Sequence, residues 1–158
     1  MTKFDTTRPD GHAIDTDRGR LDVARVHDWI SNDAYWARGR SRELMERAIE
    51  GSTCFGVYAS DGQQVAFARI VTDHATFAWL CDVYVAREAR GRGIGTWLVR
   101  TIREHVLGLG VRRIVLATAD AHDVYAKAGF TPFASPQRWM EIDLRTPAPI
   151  PSGDVRHT

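Results

Sequence analysis

Hydrophobic positions along the chain follow two rhythms, one typical of helices and one typical of strands. Apolar residues spaced three and four positions apart predict four helices, whereas alternating or continuous apolar runs predict six strands. The predicted strands cover 13–16, 54–59, 64–72, 77–85, 113–118 and 138–144. The first two predicted helices lie between the first and second strands: one opens at Asp22 and extends past Val23 and Val26 to Ile30, and the other runs from Ser41 to Gly51. The third helix, from Gly93 or Ile94 to Leu107, follows the strand over 77–85, and the fourth, over 120–128, follows the strand over 113–118. Together they predict one domain over residues 1–146.

The two ends of the chain lack these rhythms. The residues up to about Gly11 are polar and predict an irregular start. The end carries Pro147, Pro149 and Pro151, and proline has no N–H donor and a fixed φ, so a helix or an internal strand is excluded there. We therefore expect a disordered tail over 147–158.

Turn residues between the strands indicate how the sheet is connected. Asp61-Gly62 separates two β-rich runs, which is the signature of an antiparallel hairpin. The strand over 77–85 is nearly continuous in hydrophobicity, as expected for a central strand, and a helix joins it to the strand over 113–118. Such a crossover makes the two strands parallel. The predicted fold class is α/β, with a mixed sheet flanked by helices.

Composition adds several exclusions. The chain has 158 residues, 44% hydrophobic and 26% charged, which suffices for a core without disulfides or a structural metal. The net charge of +1 gives no reason to expect nucleic acid or a membrane as a partner. Cys54 and Cys81 lie inside apolar runs with no nearby histidine pair, so we expect neither a disulfide nor a metal site. No apolar stretch has membrane-spanning length, and we expect a reduced, cytoplasmic location.

A glycine-rich turn, Arg90-Gly91-Arg92-Gly93-Ile94-Gly95, separates a predicted strand from a predicted helix. Glycines permit a positive φ and let the backbone approach a ligand closely. The N terminus of the helix presents unpaired N–H groups and partial positive charge, so an anion is the natural ligand. Together with Arg87, the arginines of the turn favour phosphate.

Two common phosphate-binding motifs do not match this turn. A P-loop has Lys followed by Ser or Thr after its last glycine, whereas Thr96 and Trp97 follow Gly95. The dinucleotide-binding pattern G-x-G-x-x-G fails because the glycines fall at every second position. The alternative interpretation is a tight turn with exposed arginines that binds no ligand. Three glycines at alternate positions make this interpretation weaker than a phosphate site.

Two segments, 82–95 and 123–130, resemble the signatures of the GCN5-related N-acetyltransferase (GNAT) family. The core of its acetyl-CoA-binding motif, Arg/Gln-x-x-Gly-x-Gly/Ala, corresponds to Arg90, Gly93 and Gly95. The second segment, Asp-Val-Tyr-Ala-Lys-Ala-Gly-Phe, is similar to a helix that carries tyrosine and ends in Gly-Phe. The signatures occur in the right order on the predicted elements, and the resemblance covers most of the chain.

The resemblance implies a twisted mixed sheet whose two central parallel strands splay apart to admit acetyl-CoA. Its pantetheine arm would bond the backbone of residues 83–85, and its pyrophosphate would lie on the N–H groups of the glycine turn. Where many members have asparagine before the second helix, this chain has Thr118, which could still donate a hydrogen bond. The implied cofactor-binding residues are Val83, Tyr84, Val85, Arg90, Gly91, Arg92, Gly93, Ile94, Gly95, Thr96 and Thr118.

The implied reaction transfers an acetyl group to a primary amine of a small molecule or an exposed peptide. Backbone N–H groups of residues 83–85 are the implied oxyanion donors. Tyr125 is the candidate to hydrogen-bond or protonate the departing thiolate, because a phenol with a pKa of about 10 stays protonated at neutral pH. The alternative for Tyr125 is a core aromatic residue beside Phe130.

Asp82 is the best candidate for the catalytic base. It interrupts the apolar run of its strand, and a buried carboxylate needs a partner or a purpose. The alternative, of equal weight, is a structural salt bridge to Arg69 on the neighbouring strand. His74 could serve as the base instead, because the pKa of histidine suits the task, although a lone histidine in a turn is more often solvated.

Four side chains are candidates to line an acceptor pocket: Tyr35, Trp36, His74 and Trp79. Aromatic residues within elements are more often core, so the pair Tyr35-Trp36, which lies in a linker, is the better candidate. A non-catalytic acyl-CoA-binding regulatory module is the alternative function, and nucleic-acid binding ranks third because the net charge is near zero. Edge strands of such sheets often pair, so a homodimer is one candidate assembly.

Overall fold

The computed structural model of the protein describes residues 3–145. Its strands are β1 Asp5–Thr7, β2 Ala13–Asp15, β3 Thr53–Tyr58, β4 Gln64–Thr72, β5 Ala78–Val85 and β6 Ile114–Val115. Its helices are α1 Val23–Asn32, α2 Arg42–Glu50, α3 Ile94–Gly108 and α4 His122–Lys127. The disordered tail predicted over 147–158 lies outside the described residues.

The six strands form one mixed sheet, in the order in which they occur in the chain. Neighbours from β1 to β5 are antiparallel, whereas β5 and β6 are parallel. The parallel pairing is short, because Ala78 lies opposite Ile114 and Trp79 opposite Val115, and β5 then continues to Val85 with no described strand on that side. The predicted α/β mixed sheet is confirmed, and its two parallel strands part where β6 ends.

Helices cover both faces of the sheet. An apolar cluster under α3 lies on one face, and a second cluster under α1 and α2 lies on the other. β5 is therefore buried on both faces, which explains its nearly continuous hydrophobicity. Asp22 and Ser41, where two helices were predicted to begin, are their N-caps. The carboxylate of Asp22 accepts a hydrogen bond from the N–H of Arg25, and the hydroxyl of Ser41 accepts one from the N–H of Leu44. Among the described residues, no helix is both long and apolar enough to cross a membrane.

β5 contains a bulge at Asp82. Its pairing with β4 changes register between Phe67 and Arg69, so Asp82 and Val83 together lie opposite a single residue of β4. The φ of Asp82 is 52°, in the left-handed region that aspartate tolerates better than most residues. The extra residue allows both Leu80 and Val83 to contact the cluster under α3. The interruption of the apolar run in the sequence is therefore a bulge in the strand.

Two differences from the sequence prediction concern the strands at the edges of the sheet. Residues 5–7 form β1 in a stretch expected to be irregular, because Thr6 pairs with Ile14 in a hairpin. This pairing uses backbone hydrogen bonds, which a polar strand can make as well as an apolar one. The strand predicted over 113–118 is shorter than expected, since β6 separates from β5 after Val115.

The strand predicted over 138–144 does not form. A single 3-10 turn, Pro136–Arg138, precedes this segment, and no described strand pairs with it. An alternating apolar pattern gives a strand only when a neighbouring strand accepts its backbone hydrogen bonds. Within the described part of the chain, the segment has no such neighbour.

A methyl group at Gly56, in β3, would collide with the ring of Tyr58. An ideal Cβ at Gly56 lies 2.3 Å from Oη and 2.6 Å from Cζ of Tyr58, whose side chain is 1% exposed and cannot move aside freely. We expect Gly56→Ala to lower the free energy of unfolding by roughly 1–3 kcal/mol, measured by urea denaturation. The control is Gly108→Ala, where nothing lies within 4 Å of the new Cβ and helix propensity improves stability by at most about 1 kcal/mol. Equal stability of Gly56→Ala and wild type would contradict this packing.

Candidate active site

The glycine-rich turn leads from β5 into α3. Gly91 and Gly93 have φ values of 79° and 73°, which are strained for residues with a side chain. Gly93 is the N-cap of α3. Because glycine has no side chain, no side-chain oxygen at this position accepts a hydrogen bond from the first N–H groups of the helix. These N–H groups and the helix dipole form the anion site that the sequence predicts.

Two of the predicted arginines contact Asp33, at the C-terminal end of α1. Arg87 binds this carboxylate through two guanidinium nitrogens. Arg90 lies 3.6 Å from it, and the Nε of Arg90 donates a hydrogen bond of 2.9 Å to the carbonyl of Val85. The phenol of Tyr84 also donates to Asp33, and burial together with this hydrogen bond raises its pKa to about 12. Asp33, which no sequence pattern singled out, thus holds the turn and β5 against α1.

Two further arginines lie at the turn, Arg92 and Arg8, and the guanidinium of Arg8 is paired with the carboxylate of Asp10 at 2.7 Å. Arg92 lies within it and has an exposed side chain. Arg8 comes from the hairpin of β1 and β2, and its guanidinium lies 5.1 Å from the centre of the Trp97 ring. One of its nitrogens would be 4.0 Å from a Cβ on Gly93. The sequence could not indicate Arg8, because β1 itself was not predicted.

The residues predicted to hold pantetheine lie where β5 parts from β6. The side chains of Val83 and Val85 are buried in the cluster under α3, so only their backbone can contact a ligand in the gap. Thr118 lies in the loop after β6, where its hydroxyl oxygen accepts a hydrogen bond of 3.0 Å from the N–H of Ala121. The same hydroxyl contacts the phenol of Tyr35. Thr118 therefore shapes the loop before α4.

Tyr125 is buried on the inner side of α4. Its side chain is 8% exposed, and its ring meets that of Phe130 edge to face at 5.9 Å between centres. Burial raises the pKa of its phenol far above the usual value, and the nearby phenol of Tyr35 and carboxylate of Asp120 add to this effect. The phenol consequently stays protonated at neutral and mildly alkaline pH, which suits a hydrogen-bond donor.

Asp82 is the centre of a buried cluster of charges. Its side chain is 1% exposed, and one carboxylate oxygen lies 2.5 Å from Arg40 and 2.7 Å from Arg69. The other oxygen accepts a hydrogen bond of 2.8 Å from Nε1 of Trp36. Burial alone would raise the pKa of Asp82, but the two guanidinium groups outweigh it and hold the pKa below its usual value. This geometry favours the salt bridge to Arg69 over the predicted role of catalytic base.

The aromatic pair from the linker reaches the loop that precedes α4. Tyr35 and Trp36 meet edge to face, with 5.1 Å between ring centres. The phenol oxygen of Tyr35 accepts a hydrogen bond of 2.9 Å from the N–H of Ala119.

Trp79 is 36% exposed on β5, where it alternates with the core residue Leu80 and therefore faces the α1 and α2 side of the sheet. The structure thus brings Tyr35 close to Tyr125 and leaves Trp79 accessible.

His74 lies apart from these residues. It is exposed in the turn between β4 and β5, with a φ of 61°. Burial lowers the pKa of His105, and the neighbouring charge of His74 lowers it further, so His74 lies near the C-terminal end of α3. A rise of 1.5 Å per residue puts His105 roughly 16 Å along the helix from the glycine turn. The geometry therefore argues against His74 as a base or as part of an acceptor pocket.

Asp120 is a candidate that the sequence patterns did not single out. Its Oδ2 is buried and has no hydrogen-bond donor among the described residues. Burial raises the pKa of both Tyr35 and Tyr125, and the negative charge of Asp120 adds to both shifts. An unpaired buried oxygen is costly unless a ligand or solvent completes it. Asp120 follows β6, at the carboxyl end of a parallel pair of strands, and open α/β sheets bind their ligands at such ends. The sequence therefore contained a signal for Asp120, because the residue follows a predicted parallel strand.

The Asp82 cluster predicts a pH-dependent contribution to stability. In Asp82→Asn, the mostly buried Arg40 and Arg69 lose their counter-charge, so the free energy of unfolding at pH 7 should fall by roughly 3–5 kcal/mol in urea denaturation. Because folding lowers the pKa of Asp82, its contribution is present above its unfolded pKa of about 4 and is lost as pH falls through the folded value. The two proteins should therefore converge in stability in acid.

The matched control is Glu46→Gln. This carboxylate is 50% exposed and pairs with Arg42 on the surface of α2, so its loss should change stability by less than about 0.5 kcal/mol. A loss as small in Asp82→Asn would mean that the buried cluster does not stabilise the fold.

Comparison with known proteins gives several matches. The model of the acetyltransferase (GNAT) family matches residues 23–130, more than half of the chain. A crystal structure described as a "putative acetyltransferase belonging to the gnat family", from Xanthomonas campestris pv. campestris, is 45% identical over 84% of this chain and 93% of that chain, with a TM-score of 0.79. "Putative acetyltransferase FG08082" from Gibberella zeae is 29% identical, with 77% of this chain and 78% of that protein covered.

A more distant match concerns fold alone. The crystal structure of Rv2747 from Mycobacterium tuberculosis, in complex with CoA and NLQ, is 18% identical over 76% of this chain and 72% of that chain, with a TM-score of 0.63. The match to the family model contains the bulged β5, the left-handed glycines and the helix of Tyr125. This chain belongs to the acetyltransferase (GNAT) family.

Proposed function

We propose that this protein transfers an acetyl group from acetyl-CoA to a primary amine, on a small molecule or on an exposed peptide or protein. The observation that carries the proposal is the turn between β5 and α3. There the left-handed Gly91 and Gly93 leave a helix N terminus open, next to a strand edge from which β6 has parted. The GNAT family uses acetyl-CoA as its donor, and these two features suit its pyrophosphate and its pantetheine arm.

The donor would lie along β5. Its pyrophosphate accepts hydrogen bonds from the N–H groups of residues 91–96, with the exposed Arg92 as a nearby cation. Its pantetheine arm bonds the backbone of residues 83–85, whose side chains are turned into the core. Rv2747 holds CoA in its crystal structure, and its fold resemblance supports this arrangement without identifying residues.

The reaction is direct aminolysis of the thioester. The amine nitrogen attacks the carbonyl carbon, the C–S bond breaks, sulfur leaves with the bonding electrons, and the nitrogen loses a proton. Backbone N–H groups of residues 83–85 stabilise the oxyanion, and Tyr125 donates a hydrogen bond to the departing thiolate. Because burial raises the pKa of Tyr125 further above the thiol value of about 8.5, complete proton transfer is uphill, and the thiolate takes its proton from solvent.

Asp120 and Tyr35 would serve the acceptor. The unpaired carboxylate oxygen of Asp120 attracts the ammonium form of the amine and accepts its proton, directly or through a water molecule. Tyr35 forms one wall of the acceptor site beside Tyr125, and Trp36 supports that wall. In this scheme Asp82 is a positioning residue, because it holds Trp36 and does not touch the reacting atoms.

A non-catalytic acyl-CoA-binding module is the second candidate. The observation that favours it is the Asp82 cluster, since the carboxylate first expected to be the base is occupied by two arginines. Both functions require CoA binding, but only the acetyltransferase releases free CoA thiol when an amine is added. A screen of amines with thiol detection separates the two.

Gly93→Val should weaken CoA binding. Valine is strained at a φ of 73°, and its side chain would lie over the first N–H groups of α3. We expect the Kd for CoA, measured by isothermal titration, to rise at least about tenfold, which corresponds to 1.4 kcal/mol. The control is Gly62→Val in the hairpin between β3 and β4, where φ is 88° and nothing lies within 4 Å, so the strain is similar and the anion site is untouched. Failure of the folded wild type to bind CoA would refute the proposal.

Tyr125→Phe should lower turnover and leave cofactor affinity nearly unchanged. The variant keeps the packing on Phe130 but loses the hydrogen bond to the thiolate, so kcat should fall about 10²-fold on an accepted amine. Because the pKa of Tyr125 is raised, its deprotonation should not limit kcat of the wild type up to about pH 9. Unchanged kcat in the variant would assign Tyr125 to the core only.

A further inference from the structure

The buried cluster around Asp82 carries more positive than negative charge. Arg40 and Arg69 both pair with this single carboxylate, so one positive charge is in excess. Their side chains are 16% and 14% exposed, which means that each is mostly removed from water but can still be reached from outside. An excess guanidinium charge in such a place favours an anionic ligand.

Both guanidinium groups have nitrogens left over for this ligand. In Arg69, Nε donates to Asp82 and Nη1 donates to the hydroxyl of Ser52. In Arg40, Nη1 contacts both Asp82 and the sulfur of Met45. Nη2 of Arg69, and Nε and Nη2 of Arg40, have no acceptor among residues 3–145. Two adjacent guanidinium groups with free N–H donors suit the paired oxygens of a carboxylate.

The aromatic pair of the linker connects this cluster to the unpaired carboxylate of Asp120. Nε1 of Trp36 donates to Asp82 at 2.8 Å, and the ring of Trp36 meets that of Tyr35 at 5.1 Å. The phenol of Tyr35 accepts a hydrogen bond from Ala119, the residue before Asp120. A surplus of positive charge and an unpaired negative charge therefore lie at the two ends of one aromatic pair.

Cys81 lies between the cluster and Tyr125. Its thiol donates a hydrogen bond of 3.7 Å to the carbonyl of Arg69. Burial raises the pKa of Tyr125, and Cys81 is one of the neighbours that add to this effect, so the two side chains are close. Because Cys81 is only partly buried, the surface between the arginines and the phenol is accessible to a ligand.

An exposed apolar pair lies beside the arginines on the same face of the sheet. Val71 of β4 and Trp79 of β5 are directly opposite each other and are 43% and 36% exposed. The next pair on this face is Arg69 and Cys81, two residues along each strand, a separation of roughly 7 Å. A ligand whose charge is bound at the arginines can therefore place an apolar group on Val71 and Trp79.

We propose that the acetyl acceptor is an amino acid with an apolar side chain, a small molecule that carries a carboxylate besides its amine. Arg40 and Arg69 bind the carboxylate, and Asp120 binds the amine. The side chain lies on Val71 and Trp79. This assignment of the substrate class rests on the proposed function, and the reaction is the aminolysis described above, with an N-acetylated amino acid as product.

Acceptors that differ only in the carboxylate give the first test. The probes are phenylalanine, its homologues with one or two more carbon atoms between amine and carboxylate, and the carboxamide of each, assayed by release of CoA thiol. We expect kcat/KM of at least one acid to exceed that of its amide at least about tenfold, because the amide loses the charge-assisted hydrogen bonds. Equal use of acid and amide in every pair would overturn the proposal and leave acetyl transfer itself intact.

Arg69→Lys and Arg40→Lys test the two arginines. Lysine keeps a positive charge beside Asp82 but lacks the planar set of donors, so the preference for the acid over its amide should fall at least about tenfold in one or both variants. Both acceptors are assayed on the same sample, so a loss of folded protein does not change this ratio. The matched control is Arg42→Lys, on the surface of α2, which should keep the wild-type ratio. An unchanged ratio in both cluster variants would contradict the proposal.

The apolar pair has a test of its own. The accepted acid is compared with its analogue that lacks the phenyl ring, and kcat/KM should fall about tenfold or more without the ring. Trp79→Ala should remove most of this difference. If the ring makes no difference in the wild type, the side chain does not lie on Val71 and Trp79.

A binding measurement separates this inference from the proposed function. Phenylpropanoate, which has the ring and the carboxylate but no amine, is titrated calorimetrically into the full chain in the presence of CoA. It should bind to the wild type at least about tenfold more tightly than its amide does, and Arg69→Lys should weaken its binding. Binding without acetylation of any amine would refute the acetyltransferase and keep the carboxylate site. Acetylation of amines without any binding of phenylpropanoate would refute the carboxylate site and keep the acetyltransferase.

Discussion

The carboxylate of Asp82, buried between Arg40 and Arg69 at the bulge of β5, joins two strands of the sheet to the linker between α1 and α2. The bulge adds one residue to the strand, and the charged cluster stabilises the left-handed backbone that the extra residue requires. After the bulge, Val83 resumes contact with the core under α3, while β6 has already ended. The part of β5 whose backbone faces the gap therefore begins directly after a buried cluster of three charges.

The same cluster connects the sheet to the linker between α1 and α2. Trp36 donates to Asp82, and its neighbour Tyr35 accepts a hydrogen bond from the loop before α4. One linker thus spans from the bulge to the loop that holds Asp120. Under the proposed function, the wall of the acceptor site is positioned by the same cluster that lies beside the donor gap.

The elements whose signals are local were predictable from the sequence. The glycine turn, the hairpin at Asp61-Gly62 and the helix caps each depend on a few adjacent residues, and all occur in the structure. The site was less predictable because its contacts are distant in the chain. Asp33 and Arg8 reach the turn only through tertiary packing, and the role of Asp82 depended on Arg40, which lies in a linker with no periodic pattern. The alternation over 138–144 predicted a strand wrongly, because a periodic pattern does not show whether a neighbouring strand accepts its backbone hydrogen bonds.

Under the proposed function, the position of Asp33 constrains how such a protein changes in evolution. It ends α1 at the start of the linker that carries Tyr35, and it also holds Tyr84 and Arg87 of the donor half. A mutation that reshapes the linker for a new amine therefore also disturbs the attachment of the glycine turn. Selection for a different acceptor would be accompanied by compensating changes around this carboxylate, and the specificity of the two substrates would drift together.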